Sequence, residues 1–434
     1  MRTSVIVIGA GHTGLAVSYF LRQQGINHVV FERGHVGHSW RTERWDSLRM
    51  LTPNWQNRLP GAPYSGTDPD GYMTMTDVAE FLGDYAEQID APVRTGVTVT
   101  SVRRNGADFQ VDTTIGAWTA PAVVIATGAC NIPKIPALAK DVPAGITQLT
   151  PKDYRNPEQL DDGGVLVVGA AATGAQIAAE VRASGRAVTL AVGEHVRMPR
   201  TYRGHDILWW MERSGIWSQR FDQLDDIVRA RHLPSPQLVG STDKVTLDLN
   251  YLTDLGVQLA GRLAGISNGV AQFSGSLTNV IALADLKARR LLHTFDEFAS
   301  SEGLDANLPA SETLADTHVP AKPPLARSLT DGAITSIIWA TGYTADYSFL
   351  DIDVLDHKGQ LKHDGGIVTD APGLYRIGLP VLRRRNSTFV NGAEADAHEI
   401  TDHLARYLGS NRVSSAAADN ELPAYDAVLA RSAS

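Results

Sequence analysis

The chain has 434 residues, 43% of them hydrophobic and 20% charged, which is enough for a large core and two or three domains. Its net charge of −9 argues against a protein that binds nucleic acid electrostatically. The lone cysteine, Cys130, excludes a disulfide framework and a C-x-x-C redox pair, and no apolar run is long enough to span a membrane. The apolar N-terminal stretch is too short for a signal peptide, so we expect a cytoplasmic protein. The sequence predicts no metal site.

The chain opens with a strand, turn and helix pattern. Four β-branched residues, Val5–Ile8, lead into the spacing G-x-G-x-x-G over residues 9–14, and an apolar helical pattern follows. This order predicts a buried parallel strand that turns tightly into a helix. Gly9 permits the turn, Gly11 lets a pyrophosphate approach the backbone, and Gly14 lets the helix pack on the strand. The helix N-terminus then attracts the phosphates.

An acidic residue follows the next strand at the distance that a dinucleotide site requires. The predicted strand His28–Phe31 ends in Glu32, 18 positions after Gly14. A carboxylate here accepts hydrogen bonds from ribose hydroxyls and disfavours a 2′-phosphate. The first third of the chain therefore predicts a dinucleotide site.

A long segment and an antiparallel pattern come next. Residues 33–55 are rich in Trp, Arg and Gly, which indicates either an ordered functional loop or a surface excursion pinned by its tryptophans. Residues 97–102 and 109–113 alternate apolar and polar side chains around Asn105-Gly106, so an antiparallel insertion is predicted. Residues 122–128 then form another buried strand that ends in Ala-Thr-Gly, and three prolines mark a connector.

The opening pattern then recurs. Residues 164–174 again read as strand, turn and helix start, with Ala171 at the place of the middle glycine, and a second strand ends at Val192. Gly193 follows this strand where the first site has its acid, and Arg197 and Arg200 lie just beyond. Arginines there suit a 2′-phosphate, so NADPH is favoured over NADH, although Glu194 adjoins Gly193.

Residues 201–330 are the least readable part of the sequence. Residues 257–260 and 270–273 suggest a second antiparallel excursion, residues 281–298 a helix, and residues 308–328 a loop. Residues 333–343 repeat the closing strand with its Ala-Thr-Gly sequence. A further strand over residues 373–378 ends in Gly378, and Asn391-Gly392 precedes a helix over residues 394–408.

These elements predict an α/β fold with two Rossmann-like dinucleotide-binding domains, each carrying an antiparallel β insertion. We assign residues 1–155 to the first part of one dinucleotide-binding domain and residues 156–335 to a second, NADPH-binding domain with insertions. Residues 336–434 return to the first domain and end in a C-terminal helix.

The assembly resembles the two-dinucleotide-binding-domain flavoproteins and, among them, the class B flavoprotein monooxygenases, which include the flavin-containing and Baeyer–Villiger monooxygenases. The resemblance covers essentially the whole chain. It is carried by the two glycine motifs, residues 37–40 (Gly-His-Ser-Trp), the connector at residues 153–157 (Asp-Tyr-Arg-Asn-Pro), and residues 339–343 (Trp-Ala-Thr-Gly-Tyr). It implies that the first half binds FAD and the second half NADPH, and that O₂ reacts through a flavin hydroperoxide that oxygenates a small organic substrate.

The residues expected to bind the two cofactors are Gly9, Gly11, Thr13, Gly14, Glu32, Arg33, Gly37, Trp40, Thr52, Val99, Ala126, Thr127, Gly128, Gly169, Ala171, Thr173, Gly174, Arg197, Arg200, Thr341, Gly342, Tyr343, Gly378 and Gly392. The chain departs from the family at two places. Thr150 stands where the connector has a histidine, and Leu51 stands where flavin-containing monooxygenases have an asparagine beside the flavin. Asn54, three residues later, is the candidate catalytic residue, because its amide both donates and accepts hydrogen bonds; alternatively, it is an ordinary turn residue.

Three functions stay open. The first is a monooxygenase that acts by N- or S-oxygenation or by Baeyer–Villiger oxidation. The second is a flavin-dependent NAD(P)H oxidase or reductase without productive oxygen transfer, and the third is a non-catalytic FAD-binding protein. The expected partners are a small organic substrate and O₂, with neither nucleic acid nor a membrane, and the chain could form a homodimer.

Overall fold

A computed structural model describes the backbone of residues 1–419 and the side chains of residues 1–410. Its first domain is built on a parallel five-stranded sheet, in the spatial order Leu374–Arg376, Ala122–Ile125, Val5–Ile8, His28–Phe31 and Val93–Arg94. Val5 pairs with both His28 and Ala122, so the N-terminal strand is central, and its four residues are buried on both faces. Burial on both faces explains why this strand is continuously apolar.

The two faces of this sheet are covered differently. Three helices, His12–Gln23, Met75–Gln88 and Ala393–Asp419, pack on one face. A four-stranded sheet covers the other, in the order Leu350–Asp351, Val99–Asn105, Asp108–Thr113 and Gly116–Ala120. The last three strands are antiparallel, which confirms the predicted insertion.

The second domain repeats this plan. Its parallel sheet runs in the order Gln258–Gly261, Val188–Val192, Gly164–Val168, Ile334–Trp339 and Thr147–Leu149. Helices Ala172–Ala183, Leu249–Asp254 and the start of Leu277–Ser301 pack on one face. The antiparallel strands Leu263–Ser267, Val270–Phe273 and Ala326–Ser328 lie on the other face. The predicted fold class of two Rossmann-like domains, each with an antiparallel insertion, is confirmed.

Sheet membership corrects three details of the sequence analysis. The strands Thr147–Leu149 and Ile334–Trp339 both belong to the second sheet, so the boundaries at 155/156 and 335/336 do not separate the domains. Residues 258–261 pair in parallel with Thr189–Val192 and take no part in the antiparallel excursion. Its hairpin instead joins 263–267 to 270–273 through Asn268 and Gly269, which both have positive φ.

The segment that resisted sequence interpretation reaches from the second domain to the first. We call residues 207–233 the bridging segment; it contains helices Ile207–Arg213 and Ile227–His232. It lies against the loop that precedes the C-terminal helix, where the Phe221 N–H donates to the Arg383 carbonyl (2.9 Å) and the Asn386 N–H donates to the Trp217 carbonyl (3.2 Å). The bridging segment therefore ties the two domains together.

The remaining elements are short. They are helix His38–Thr42, the strand pairs Thr201–Tyr202 with His205–Asp206 and Ile132–Pro133 with Tyr343–Thr344, and the 3₁₀ turns Asn54–Gln56, Ala137–Asp141, Pro157–Gln159, Phe221–Gln223 and Asp305–Asn307. Residues 420–434, assigned from sequence to the returning domain, lie outside the described residues. Within residues 1–419, no helix is both long and apolar enough to cross a membrane.

Candidate functional site

The first glycine turn, residues 9–14, has the shape that a pyrophosphate requires. Gly9 has a φ of +105°, and a Cβ there would lie 2.6 Å from the Ala126 carbonyl oxygen. A Cβ at Gly14 would overlap the carbonyl oxygen of Gly9, whereas a Cβ at Gly11 would meet no atom within 4 Å. The close contacts explain Gly9 and Gly14, and the open space at Gly11 is where a pyrophosphate would approach the helix N-terminus. The turn therefore fits a dinucleotide such as FAD.

Glu32 is held at the end of the second strand. Its two carboxylate oxygens accept hydrogen bonds from the backbone N–H of Ala10 (2.9 Å) and of Gly34 (3.0 Å). Each oxygen has a further lone pair, so the carboxylate can still accept from a ribose diol. Arg33 points away and forms a half-exposed ion pair with Glu43 (2.6 Å).

The predicted cofactor contact Val99 does not lie beside Glu32. Val99 lies in the antiparallel sheet, paired with Thr113. Val97 is the residue next to the acid, because its N–H donates to the Glu32 carbonyl (2.9 Å) and its side chain is buried. The alternating pattern covered both valines, so sequence periodicity could not distinguish them.

The Ala-Thr-Gly turn at residues 126–128 lies beside the glycine turn and is held by a residue that sequence reasoning missed. The buried guanidinium of Arg376 donates to the carbonyl oxygens of Ile125 (2.9 Å) and Gly128 (2.6 Å). Two residues later, a Cβ at Gly378 would lie 3.0 Å from Thr13 Oγ1. The returning strand thus places Gly378 against the first glycine turn.

Several other predicted residues have structural roles. Gly37 has positive φ, begins helix His38–Thr42 and packs on Ala79, and Trp40 lies at the edge of the core, 5.2 Å from the Arg44 guanidinium. A Cβ at Gly392 would overlap the Asn386 carbonyl oxygen. Thr341, Gly342 and Tyr343 lie in the second interdomain linker, which pairs antiparallel with the first linker at residues 132–134.

The second glycine turn, residues 169–174, has the same stereochemistry as the first. Gly169 has a φ of +109°, a Cβ at Gly174 would overlap the Gly169 carbonyl oxygen, and Ala171 precedes the helix in extended conformation. Gln237, also missed in the sequence, is fully buried, and its Nε2 donates to the Ala170 carbonyl (2.8 Å). The turn fits a second dinucleotide, and Thr173 lies in the first turn of its helix.

The structure contradicts the prediction that Arg197 and Arg200 bind a 2′-phosphate. Arg197 is 4% exposed and donates to Asp248 (2.7 and 3.0 Å) and to Asp285 (2.8 Å). Arg200 is fully buried, pairs with Asp206 and donates to the Leu51 carbonyl (2.9 Å). Buried guanidinium groups that already have carboxylate partners are not available to a coenzyme phosphate. Both residues instead stabilise the fold through buried ion pairs.

At the end of the second strand of this domain, an acidic residue is surrounded by basic residues. Glu194 follows Gly193 and forms an ion pair with Lys287 (3.0 Å). Burial lowers the pKa of His195, whose Nδ1 donates to the Gly193 carbonyl (3.0 Å). These residues line a cavity of about 390 Å³, which also contacts the helices Ile227–His232 and Leu277–Ser301.

Both polar atoms of the Asn54 side chain already have hydrogen-bond partners in the protein. It is 7% exposed, its Nδ2 donates to the Asp68 carbonyl (2.9 Å), and its Oδ1 accepts from the Met73 N–H (3.0 Å). Thr52 is similarly engaged, since its hydroxyl donates to Asn57 Oδ1 (2.5 Å). Thr150, which replaces the connector histidine, donates to Asp153 (2.6 Å). All three side chains stabilise their own loops, so the structure supports the turn-residue interpretation of Asn54.

A polar cluster joins the domains near the C-terminal helix and was not visible in the sequence. Glu212 of the bridging segment accepts from Gln56 (3.0 Å), Arg58 (2.6 Å) and Asn391 (3.3 Å). Gln56 and Asn391 are both buried. Residues so far apart in sequence share no periodicity, so only the folded chain brings them together.

Comparisons with known proteins agree with this architecture. The family model for pyridine nucleotide-disulphide oxidoreductases matches residues 6–208. A Geobacillus kaustophilus protein described as an uncharacterized CzcO-like oxidoreductase is 32% identical over 409 residues, which cover 93% of this chain and 98% of that protein. The chain therefore has a relative along almost its whole length.

Two solved structures share the fold at low sequence identity. A flavin-containing monooxygenase from Stenotrophomonas maltophilia has a TM-score of 0.66 at 20% identity and covers 94% of this chain and 99% of its own. A steroid monooxygenase bound to NADP has a TM-score of 0.54 at 16% identity, with 93% and 85% coverage. Each alignment therefore covers more than nine tenths of this chain.

Proposed function

Because the chain belongs to the CzcO-like oxidoreductases and has the fold of the class B flavoprotein monooxygenases, we propose that it is an FAD- and NADPH-dependent monooxygenase. It transfers one oxygen atom of O₂ to a small organic substrate. The bound flavin supplies the redox and oxygen chemistry, and the protein supplies binding, orientation and exclusion of water.

One observation carries this proposal: the chain contains two glycine turns with matching stereochemistry. In both, the first glycine has a φ near +105° and the third glycine has no room for a Cβ. A chain that binds two dinucleotides can pass a hydride from one to the other, which a single site cannot do. At the first site, Glu32 favours a cofactor with a free ribose diol, such as FAD. The steroid monooxygenase that shares this fold is bound to NADP, which supports a nicotinamide coenzyme at the second glycine turn.

The test is a two-step mixing experiment on the purified protein. NADPH is first added without oxygen, and loss of the oxidised flavin absorbance is followed. O₂ is then added with an amine, a sulfide or a ketone, and oxygenated product, NADPH consumed and peroxide released are measured. Product formed in proportion to NADPH supports the proposal. A protein that retains no FAD, or whose flavin NADPH does not reduce, contradicts it.

A matched pair of variants links the result to the first glycine turn. Gly11→Val places a side chain where the pyrophosphate would lie, so the purified variant should lose bound FAD. Gly145→Val is the control, because this glycine also has open space around it and no positive φ. It should retain FAD at the stoichiometry of the unmodified protein.

A second candidate is an NAD(P)H oxidase that reduces O₂ to peroxide. It is favoured by the engagement of Asn54 and Thr150 with their own loops, which leaves neither side chain free to act on oxygen. If NADPH oxidation yields only peroxide with every amine, sulfide and ketone tested, this second function replaces the first.

A further inference from the structure

We propose that the cavity beside Glu194 binds the adenosine 2′-phosphate end of NADPH, and that Lys287 and Arg229 select this coenzyme over NADH. The inference rests on the proposed function, because it assumes a nicotinamide coenzyme at the second glycine turn. It assigns to two inserted helices the role that Arg197 and Arg200 do not have.

The position of the cavity is the first argument. Glu194 and His195 line it, and they directly follow Gly193 at the end of the second strand of the domain. In a dinucleotide-binding fold, the residues at this strand end face the adenosine ribose, whose 2′ position carries the phosphate in NADPH. The cavity therefore lies where a selecting contact is needed.

The shape and lining of the cavity are the second argument. Its volume of about 390 Å³ is in the range of small-molecule sites. Val280, Leu283 and Ala284 line the cavity at helical spacing, and Leu233 lines it as well. Leu283 is 46% exposed and Leu233 is 40% exposed. Exposed apolar side chains beside polar groups are typical of a binding surface, and an adenine ring has apolar faces that suit them.

Charge is the third argument. A lone Glu194 would repel a 2′-phosphate, but the Lys287 ammonium lies 3.0 Å from its carboxylate and neutralises it. Arg229 adds a second cation, and within the described residues it forms no ion pair. The cavity thus retains positive charge for an anion, and charge-assisted hydrogen bonds from lysine and arginine are the usual contacts of phosphates.

Arg197 lies behind this cavity and has a structural role there. It bonds Asp285, which lies two residues before Lys287 on the same helix, and Asp248, which begins the helix Leu249–Asp254. The buried ion pairs fix the helix of Lys287 beside the strand end. Arg197 therefore stabilises the fold around this helix and does not touch a coenzyme.

Binding of two nucleotides to the FAD-loaded protein, measured by titration calorimetry, tests the inference without any turnover. The probes are 2′,5′-ADP and 5′-ADP, which differ only in the 2′-phosphate. The unmodified protein should bind 2′,5′-ADP more tightly. Lys287→Met and Arg229→Met should each weaken the binding of 2′,5′-ADP about ten- to a hundredfold, because each removes a charge-assisted contact. The affinity for 5′-ADP should change by less than about twofold.

Control variants make the outcome specific. Arg289→Met removes a cation from the opposite side of the same helix, where Arg289 pairs with the exposed Asp316, and should leave both affinities unchanged. Glu194→Gln should strengthen the binding of 2′,5′-ADP, because it removes the charge that repels the phosphate. Arg262 lies on the other side of Gly193, its Cγ 3.9 Å from the position of a Cβ there, so Arg262→Met is tested in parallel.

The outcomes separate this inference from the proposed function. A protein that binds neither nucleotide contradicts the second dinucleotide site and the proposed function with it. Preferred binding of 2′,5′-ADP that only Arg262→Met weakens contradicts the cavity assignment alone. Equal binding of the two nucleotides by the unmodified protein also overturns it.

Discussion

Arg197 shows how one side chain can have the residue type of a coenzyme contact and still be structural. Its guanidinium is surrounded by Asp248, Asp285 and the carbonyl oxygen of Ala315 (2.7 Å). Two carboxylates would be left buried and unpaired if it were removed, and breaking a buried ion pair in this way costs several kcal/mol.

We therefore expect Arg197→Ala to reduce stability much more than coenzyme selectivity. The free energy of unfolding should fall by about 3–5 kcal/mol, as for other broken buried pairs. The ratio of the KM values for NADPH and NADH should change by less than about threefold, a range within ordinary structural effects. Denaturant unfolding and steady-state kinetics measure the two quantities. A stable variant with a large, selective loss of NADPH binding would restore the original prediction.

Arg376 makes the same point from the other direction. Nothing in the strand that contains it distinguishes it from a surface arginine. It is nevertheless buried, and it donates to the carbonyl oxygens of Ile125, just before the first Ala-Thr-Gly turn, and of Gly128 within that turn. Its role depends on the parallel pairing of Leu374–Arg376 with residues 123–125. A contact made across two strands far apart in sequence leaves no local signal.

The elements were easiest to predict where their stereochemistry is local. Both glycine turns combine a positive φ with a helix that packs closely on its strand, so few residue types can occupy them. The edge strand Gln258–Gly261 was predicted to be antiparallel because the polar Gln258 lies between the apolar Val257 and Leu259. This partial alternation resembles an antiparallel strand, and only the pairing with Thr189–Val192 shows that it is parallel.

The close packing of the second glycine turn can be tested with two glycines in helices. Gly174→Ala inserts a methyl group against the Gly169 carbonyl, and we expect a loss of about 1–3 kcal/mol in the free energy of unfolding. Gly83→Ala, inside helix Met75–Gln88, meets no atom within 4 Å and should stabilise the protein by about 0.5–1 kcal/mol through helix propensity. Denaturant unfolding of both variants checks the difference; equal effects would mean that the Gly174 contact is relaxed in solution.

At the scale of the whole molecule, the bridging segment and the C-terminal helix form an ionic junction between the domains. Glu399 on that helix accepts from Arg220 of the bridging segment (2.8 Å) and from Arg383 (2.6 Å), and it also contacts Arg384. Burial raises the pKa of Glu399, but the hydrogen bonds from these three arginines lower it by more, to about 2. Protonation of this carboxylate would therefore loosen the junction.

The sign of the resulting pH dependence follows from that pKa. The pKa of a glutamate in the unfolded chain is about 4.3, which is above that of Glu399 in the folded protein. The charged form of Glu399 therefore stabilises the fold at neutral pH. This contribution is lost as the pH falls from about 5 towards about 2. Glu399→Gln should thus be less stable than the unmodified protein at pH 7, and the difference should shrink at pH 3.

Denaturant unfolding at pH 7, 5, 4 and 3 measures this difference. Glu302→Gln, at an exposed glutamate with no ion pair among the described residues, is the control and should follow the unmodified protein at every pH. A difference between Glu399→Gln and the unmodified protein that is constant with pH would contradict the assignment of the titration to Glu399.

The sequence by itself determined the two dinucleotide folds, because a glycine turn, its strand and the acid after the second strand depend on residues within about 30 positions. It also determined the Ala-Thr-Gly strands and the antiparallel insertions, whose hydrophobic periods are local. Only the tertiary structure decided which cations are free. Arg197 lies 51 and 88 residues from its two aspartate partners, and Glu212 lies more than 150 residues from Gln56, Arg58 and Asn391. Ion pairs and buried hydrogen bonds depend on distance in space, and a single sequence records only distance along the chain.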